Sequence, residues 1–551
     1  MITLSTLTLC LTSLLFLSSP IPTLGGIQLP TIIGNSMVIQ RNQPFLLWGT
    51  TNTPTSAISV DFQNQNFKTT SDNTGYWSVT LPSSSAQATP QTLTITGDND
   101  SVSIQDIVIG DVYVCSGQSN CELAVDQTVN ASVYVANSGT YGSMLRLLQV
   151  ALENQYDNIT SPLTNVTMNI PWSRANPSNT GSMSAMCYYY GLELLATYPD
   201  VPIGMIASSW GGTSIEPWMS PESLHSCGEE SYTGQETKSF SNPDPGIFSS
   251  STTSLSSGFR GTPTLPSTLY YSMIYPLLTY SLTGFLWYQG ESNAGNPVNY
   301  SRCFPAMISQ WRNDWNSHTN GATDINAPFI FVQLSSWPSG NTNIIATQRY
   351  AQTAALALPK VGMVVTADIG DPSGAFHPIH PPFKYELARR AVLWAQNIIY
   401  GNTSSPTQGP MPVNVIWDAW NASWGNYHYN YGGNPNNVCS LSSNGFVCGG
   451  IRITFDQPIV LKPSYGGVHG YDNGFQLCCG PNTTYGIPAT QPVTLTGIRT
   501  DDPYTIQLNV TWTYGTPGPK TIYYGWNDYP TMFLYNNYDL PVPPFNITIP
   551  Y

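Results

Sequence analysis

The amino-acid sequence predicts an α/β protein with a mostly parallel sheet, helices on both faces of the sheet, and β-rich regions at both ends of the chain. From Val112 onward, short apolar runs alternate with stretches compatible with helices. Strands that are apolar on both faces and alternate with helices are typical of a parallel sheet covered on both sides. Before residue 107 and after residue 401 the chain instead shows short strand-like runs separated by turn residues. This pattern predicts a small β-sandwich before the α/β domain, and after it a second β domain or a β extension that packs back on the first.

Shifts in composition divide the chain into four predicted segments: a signal peptide at 1–25, a small β-sandwich at 27–107, the α/β domain at 108–400 and a β-rich region at 401–551. The sandwich is predicted from its short alternating strands, with a hairpin turn at residues 72–75. Inside the α/β domain, residues 237–267 are rich in Ser, Thr, Pro and Gly and have no periodicity. This composition predicts a surface loop.

The amino terminus indicates entry into the secretory route. Its apolar run from Leu7 to Leu17 is too short for a membrane anchor and is followed by Ser, Pro and small residues. No later segment is apolar enough to act as an anchor, so we expect no membrane anchor and a lysosomal or extracellular protein. Glycosylation sequons agree with this route and occur at Asn99, Asn130, Asn158, Asn165, Asn299, Asn402, Asn421, Asn482, Asn509 and Asn546.

The charge pattern argues against a nucleic-acid partner. Only 9% of residues are charged, the net charge is −14, and the 17 Lys and Arg residues form no basic cluster. Proteins that bind nucleic acid or an anionic membrane surface need such a cluster.

The cysteines predict at least one thiol outside any intramolecular disulfide. Of ten cysteines, Cys10 lies in the predicted signal peptide, and the nine that remain (10 − 1 = 9) cannot all pair. Cys439 and Cys448 flank a turn and could close a small loop, while the adjacent Cys478 and Cys479 should bond to different partners. Since no Cys-x-x-Cys pair has zinc spacing, we expect no metal.

Polar residues concentrate where the predicted strands end. In an open α/β sheet, ligands bind outside the carboxyl ends of the strands. Four predicted strands end in such residues: Ser119, Gly211-Gly212, Gln289-Gly290-Glu291 and Asp368-Ile369-Gly370-Asp371. We expect these four ends to converge on one crevice.

Ser119, in the stretch Gly-Gln-Ser-Asn, is the candidate nucleophile, and a serine needs a base to remove its proton. His377 and His380 lie between a strand end and the helix predicted to open around Lys384, where an α/β domain places catalytic groups. We prefer His380, which is held between two prolines. The stretch lacks the second glycine of Gly-x-Ser-x-Gly, which argues against the α/β-hydrolase fold.

Four blocks of sequence resemble the sialate O-acetylesterase family of SGNH-class hydrolases: GDVYVCSGQSN (110–120), IGMIASSWGGTSIEPWMS (203–220), LYYSMIYPLLTYSLTGFLWYQGESN (269–293) and TADIGDPSGAFHPIHPPFK (366–384). Weaker similarity, in NSMVIQ and in the carboxy-terminal YYGWNDYP and LPVPPF, extends the resemblance over nearly the whole mature chain. The resemblance implies an SGNH-hydrolase-like sheet and a serine esterase without cofactor or metal. It also implies O-acetylated sialic acid as the substrate.

By this resemblance, Ser119 matches the family nucleophile and His380 matches the histidine of its Ile-His-Pro element. The negative oxygen of the tetrahedral intermediate needs hydrogen-bond donors aimed at it. The candidate donors are the backbone amides of Ser119 and of Gly211 or Gly212, and the side-chain amide of Gln289 or Asn293.

The third catalytic member is left open by the sequence. Many SGNH hydrolases place an Asp three residues before the histidine, but here that residue is His377. The candidate carboxylates are Asp371 and Glu291, followed by Asp368, which could instead cap a buried strand end. Cys121 stands where the family usually has Met, an exchange expected to affect packing more than chemistry unless Cys121 forms a disulfide.

Three functions agree with these observations. The first is an esterase for O-acetylated sialic acid, whose carboxylate would favour an arginine such as Arg174, Arg260 or Arg349. The second is an acetylesterase for another acetylated polysaccharide such as xylan. The third is a catalytically silent carbohydrate-binding surface protein, in which the β regions bind the glycan and the α/β domain is a scaffold.

Overall fold

The structure is a computed structural model that describes residues 26–153, 159–229, 262–340, 343–372, 378–419, 446–462, 474–478, 494–513 and 520–550. The predicted signal peptide, most of the predicted 237–267 loop, Arg260 and His377 lie outside the described residues. The described residues form two compact units: the first lies within Met1–Leu29, Trp48–Val79 and Leu93–Ser103, and the second within Pro30–Leu47, Thr80–Thr92 and Ile104–Tyr551.

The amino-terminal strands are β1 (Ile27–Gln28), β2 (Val38–Gln40), β3 (Phe45–Thr51), β4 (Ala57–Phe62), β5 (Gln65–Thr70), β6 (Tyr76–Leu81), β7 (Gln87–Gly97) and β8 (Asp100–Gly117). In the first unit, β4 pairs antiparallel with β5 and β7. Ile58, Val60 and Phe62 alternate along β4 and are buried, as the period of a strand requires. A turn forms at the predicted position 72–75, where the Asp72 carboxylate accepts a hydrogen bond from the Thr74 amide.

The second unit contains the main sheet. Its further strands are β9 (Leu145–Val150), β10 (Met168–Arg174), β11 (Ile203–Ser209), β12 (Gly284–Tyr288), β13 (Phe329–Val332) and β14 (Val361–Val364). The strand order is β10-β9-β11-β8-β12-β13-β14, and every neighbouring pair is parallel except β10 and β9. All residues of β11, β12 and β13 are buried, as expected for parallel strands covered on both faces.

The helices are α1 (Ser119–Glu122), α2 (Ala131–Asn137), α3 (Ala185–Thr197), α4 (Pro221–Ser226), α5 (Pro297–His318), α6 (Ile344–Gln352) and α7 (Lys384–Ile398). Among the described residues, no helix is both long enough and apolar enough to cross a membrane.

Alternate residues of β12 pack against different helices. Leu286 and Tyr288 belong to the core cluster that includes the buried residues of α3 and α7. Phe285, the neighbour of Leu286, contacts the rings of Trp311 and Trp315 on α5. Because successive side chains of a strand point to opposite faces, the sheet carries helices on both sides.

The carboxy-terminal strands are β15 (Pro412–Ala419), β16 (Phe446–Phe455), β17 (Val460–Leu461), β18 (Phe475–Cys478), β19 (Thr494–Asp502), β20 (Thr505–Thr513), β21 (Thr521–Tyr524), β22 (Leu534–Tyr535) and β23 (Phe545–Thr548). They form antiparallel sheets in the orders β15-β16-β20-β19, β18-β21-β23 and β17-β22. The predicted mixed α/β class with additional β-rich regions is therefore confirmed.

Two disulfides lie in the second unit. Cys115 on β8 bonds to Cys187 on α3, and Cys227, after α4, bonds to Cys303 on α5. Neither pairing was predicted from the sequence. Two cysteine predictions fall outside the described residues: a loop closed by Cys439 and Cys448, and separate partners for Cys478 and Cys479. Cys439 and Cys479 are not described, and for Cys448 and Cys478 only the backbone is described.

Candidate active site

The turn after β8 presents Ser119 at the carboxyl end of the sheet. Strand β8 ends at Gly117, and α1 begins at Ser119. Gly117 has φ +137°, and a Cβ atom there would lie 2.0 Å from the carbonyl oxygen of Tyr288. The amide of Gln118 donates to the same oxygen over 3.0 Å. Glycine is thus required for the sharp exit from β8, because no other residue fits so close to β12.

Ser119 and His380 are in hydrogen-bond contact. The Oγ atom of Ser119 lies 2.8 Å from Nε2 of His380, although 261 positions separate the two residues in the sequence. Ser119 is buried, and His380 is half-buried and lies four residues before the start of α7. A nucleophile and a base at this distance can exchange a proton. The sequence prediction that these two residues meet agrees with the geometry.

Asn120, the neighbour of Ser119, joins three other parts of the site. Its Nδ2 atom lies 2.6 Å from Oε1 of Glu291 and 2.9 Å from the carbonyl oxygen of Ile379. Its Oδ1 atom lies 2.5 Å from Nζ of Lys384, the first residue of α7. The side chains of Asn120, Glu291 and Lys384 are buried. Asn120 and Lys384 both fall inside the motif blocks, but the sequence indicates no role for either.

Burial shifts the pKa values of Lys384 and Glu291 in opposite directions. Burial lowers the pKa of Lys384 from 10.5 to about 7, partly offset by the negative charge of Glu291. Burial raises the pKa of the Glu291 carboxyl, opposed by its hydrogen bonds, including the one from Asn120, and by the charge of Lys384. The Lys384 ammonium also lies 5.1 Å from the centre of the Tyr288 ring, a distance at which cation–π attraction operates.

Gly211 and Gly212, which follow β11, have different surroundings. The Gly211 amide donates over 2.5 Å to Oε2 of Glu122, at the end of α1. Gly212 follows with φ +76°, a left-handed conformation that favours glycine. The Gly211 amide is therefore bound by a carboxylate, and the role of Gly211 or Gly212 as a donor to the substrate oxyanion stays a prediction.

The side-chain amides of Gln289 and Asn293 are also committed. Nε2 of Gln289 donates over 2.7 Å to Oδ1 of Asn293, which also accepts from the Ile215 amide at 2.9 Å. Nδ2 of Asn293 donates over 3.0 Å to Oε1 of Glu216. These bonds connect the segment after β12 to the loop after Gly212, and the role of Gln289 or Asn293 as an oxyanion donor stays a prediction.

Asp368 forms a buried ion pair with Arg390. Its two carboxylate oxygens accept hydrogen bonds of 2.7 and 2.8 Å from Arg390, and one of them also accepts from the Tyr535 hydroxyl at 3.2 Å. A buried charge needs such a partner, because removal from water is costly. This contact agrees with the lower rank that the sequence gives Asp368. Asp371 lies half-buried just beyond it, and which carboxylate completes the site stays a prediction.

Two of the three arginines expected to bind a substrate carboxylate are used elsewhere. Arg174 pairs with Asp106 at 2.5 Å. Arg349 is buried and donates to the backbone carbonyls of Leu334, Ser335, Asn527 and Asp528. Both are structural residues, which corrects that expectation.

Cys121 carries a buried free thiol. Burial raises its pKa to about 12, so the thiol stays protonated and unreactive at neutral pH. Its side chain belongs to the core cluster that includes buried residues of α3 and β11.

Comparisons with known proteins agree with the site. The family described as "Carbohydrate esterase, sialic acid-specific acetylesterase" matches residues 250–387. The sialate O-acetylesterase of Mus musculus is 30% identical over 561 residues, covering 94% of this chain and 94% of the mouse protein. The sialate O-acetylesterase of Homo sapiens is 31% identical over 418 residues, covering 71% and 74%.

A solved structure has the same fold. The crystal structure of a carbohydrate acetylesterase from Xanthomonas citri aligns with a TM-score of 0.70 and 27% identity, covering 95% of this chain and 99% of that one. With the mouse relative at 30% identity over nearly its whole length, this chain belongs to the sialate O-acetylesterase family and is a carboxylic ester hydrolase.

Proposed function

We propose that the protein removes O-acetyl groups from sialic acids through an acetyl-enzyme intermediate on Ser119. The observation that carries this proposal is the 2.8 Å contact between Ser119 Oγ and His380 Nε2 at the carboxyl end of the sheet. The family of the chain supports acetylated sugars as the substrate class.

In the acylation step, Ser119 Oγ attacks the carbonyl carbon of the acetyl ester while His380 Nε2 accepts the serine proton. The tetrahedral intermediate then breaks its bond to the sugar oxygen. That oxygen takes the proton from His380 and leaves as a hydroxyl group. The acetyl group remains on Ser119 as an ester.

In the deacylation step, a water molecule attacks the acetyl ester of Ser119. His380 Nε2 accepts a proton from this water, and the second tetrahedral intermediate releases acetate. The proton returns from His380 to Ser119 Oγ, which restores the resting enzyme.

The oxyanion donors in this proposal are the backbone amides of Ser119 and Gly212. Ser119 is the first residue of α1, and the first amides of a helix have no acceptor within the helix. Of the two glycines, we assign the donor role to Gly212, because the Gly211 amide donates to Glu122. One such donor typically contributes about 3 kcal/mol to the stability of the transition state.

Asp371 is our proposal for the carboxylate that orients His380. Of the other two candidates, Asp368 is bound by Arg390 and Glu291 by Asn120. A carboxylate in this role keeps the imidazole in the correct tautomer and stabilises its protonated form.

A second substrate class is favoured by the positions of the arginines. Because Arg174 and Arg349 are both engaged in structural contacts, neither binds the carboxylate of a sialic acid. An acetyl ester of a neutral sugar, such as acetylated xylan, needs no such partner and uses the same chemistry at Ser119.

The same proposal includes the SGNH-hydrolase class, the domain boundaries predicted from the sequence, and a secreted or lysosomal location. The order of the parallel strands and the place of Ser119 after β8 support the SGNH class. The amino-terminal apolar run and the sequons support a secreted or lysosomal protein.

The test is acetate release from 9-O-acetylated sialic acid and from acetylated xylan, between pH 4 and 8. It compares the wild type with Ser119→Ala and His380→Ala, and adds covalent labelling by a fluorophosphonate. We expect sialic acid to be preferred, with release reduced by at least about 10³-fold in both variants.

A preference for xylan would retain the mechanism and change the substrate. Labelling of Ser119→Ala at the wild-type rate would show that another residue is the nucleophile. A folded wild type that releases no acetate from either substrate and resists labelling would refute the proposed function.

A further inference from the structure

Two consecutive residues on α1 hold two consecutive residues of the segment that carries the base. Ser119 contacts His380 through its hydroxyl, and Asn120 contacts the carbonyl oxygen of Ile379 through its side-chain amide. The second contact fixes the peptide group that leads directly into His380. The direction of the imidazole relative to Ser119 therefore depends on Asn120 as well as on the histidine itself.

Asn120 is in turn held from both ends of its amide. Its nitrogen donates to Glu291, after β12, and its oxygen accepts from Lys384, four residues after His380. Because an amide oxygen only accepts and an amide nitrogen only donates, these partners specify a single orientation of the side chain. In that orientation the nitrogen also reaches Ile379.

The cluster contains one positive and one negative group, both buried. Lys384 is 1% exposed and Glu291 is 8% exposed. Oε2 of Glu291 has no hydrogen-bond partner among the described residues, so the carboxylate depends on Asn120 and on the charge of Lys384. Removing one member of a buried pair leaves an uncompensated charge, whereas removing both charges does not.

We propose that Asn120, Glu291 and Lys384 form a positioning network that holds His380 against Ser119, and that the network works only when its two charges balance. None of the three is assigned a contact with substrate. The inference rests on the proposed function of the Ser119–His380 pair and adds that Glu291 acts through Asn120.

The experiment measures two single variants, Lys384→Met and Glu291→Gln, and the double variant that combines them. Three quantities are compared for an acetyl ester substrate: kcat, KM and the rate of labelling of Ser119 by a fluorophosphonate. Lys360→Met is the matched control, because Lys360 is an exposed lysine paired with Asp324 on the surface. Thermal unfolding reports whether each variant is folded.

We expect each single variant to lower kcat and the labelling rate by about 10- to 100-fold, because small displacements of a reacting group cause losses of this size. KM should change less than about twofold, since the network is assigned no contact with substrate. The double variant should lose less than the product of the two single losses. In that variant the new side-chain amide at position 291 can still accept from Asn120, and no buried charge is left unpaired. Lys360→Met should match the wild type.

Losses that multiply in the double variant would overturn the inference, as would a Lys384→Met enzyme with wild-type kcat. A Glu291→Gln loss of about 10⁴-fold that the double variant does not relieve would show that Glu291 orients His380 directly. If the wild type itself resisted labelling, the proposed function would fail, and that outcome is separate from failure of the network.

A smaller change covers the case in which Lys384→Met does not fold. Asn120→Ala deletes the amide and with it the contact to Ile379. A folded Asn120→Ala enzyme should show the same fall in kcat and labelling rate, with KM nearly unchanged. Wild-type values of both would overturn the inference.

Discussion

The side-chain nitrogen of Asn120 lies 2.9 Å from the carbonyl oxygen of Ile379, and these two residues are the chain neighbours of Ser119 and His380. This contact ties the backbone before His380 to the helix that carries Ser119. The alignment of Ser119 Oγ with His380 Nε2 is therefore a property of the two segments together. Changes in the surrounding contacts should have distinct effects on stability and on catalysis.

Asp368→Asn should destabilise the protein, because it leaves Arg390 buried without its full charge partner. We expect the free energy of unfolding to fall by about 3 kcal/mol, measured by urea denaturation. Asp371→Asn is the comparison and should lower kcat with little change in stability. If Asp368→Asn were as stable as the wild type but inactive, the assignment of the two aspartates would have to be exchanged.

Lys384 should make the stability of the protein depend on pH above neutrality. Its pKa is about 7 in the folded protein and 10.5 in the reference state. Between these values the unfolded chain holds a proton that the folded chain has released, so raising the pH relieves the cost of the buried charge and favours folding. The free energy of unfolding of the wild type, minus that of Lys384→Met, should rise between pH 7 and 10.5.

Urea denaturation at several pH values measures this difference. Lys360→Met serves as the control and should show no such rise, since Lys360 is exposed. A flat difference for Lys384→Met would mean that Lys384 keeps its proton in the folded state over the whole range.

The disulfide between Cys115 and Cys187 should contribute substantially to stability, since it closes a loop of 72 residues between β8 and α3. We expect Cys115→Ala/Cys187→Ala to lower the free energy of unfolding by about 2 to 5 kcal/mol. Thermal unfolding with and without a reducing agent measures the effect. Equal stability of the double variant and the oxidised wild type would contradict a stabilising role for this bond.

Gly117→Ala should disrupt the turn that presents Ser119. The added Cβ atom would lie 2.0 Å from the carbonyl oxygen of Tyr288, at a backbone φ of +137°. Gly401→Ala is a matched control, because Gly401 also has positive φ (+72°) but no atom lies within 4 Å of the added carbon. The control should cost about 1 kcal/mol, whereas Gly117→Ala should abolish labelling of Ser119.

Equal labelling and stability of the two glycine variants would show that β8 and β12 can separate without loss of the site. Circular dichroism distinguishes a misfolded Gly117→Ala protein from a folded one with a displaced Ser119.

The sequence alone determined the α/β class and predicted that Ser119 and His380 lie together. Apolar runs in alternation with helical stretches predicted the sheet, because burial on both faces leaves a local trace in each strand. Ser119 and His380 could be predicted because each lies in a short motif after a strand end, where an α/β fold places its functional groups.

The tertiary structure decided the contacts that join distant parts of the chain. The partners of Asn120 lie 171, 259 and 264 positions away, and the Cys115–Cys187 bond spans 72. Asp368 binds Arg390 and the Gly211 amide donates to Glu122, and neither pairing is apparent in the sequence. No local pattern encodes such pairings, because burial and hydrogen-bond geometry select among many chemically equivalent residues only when the chain has folded.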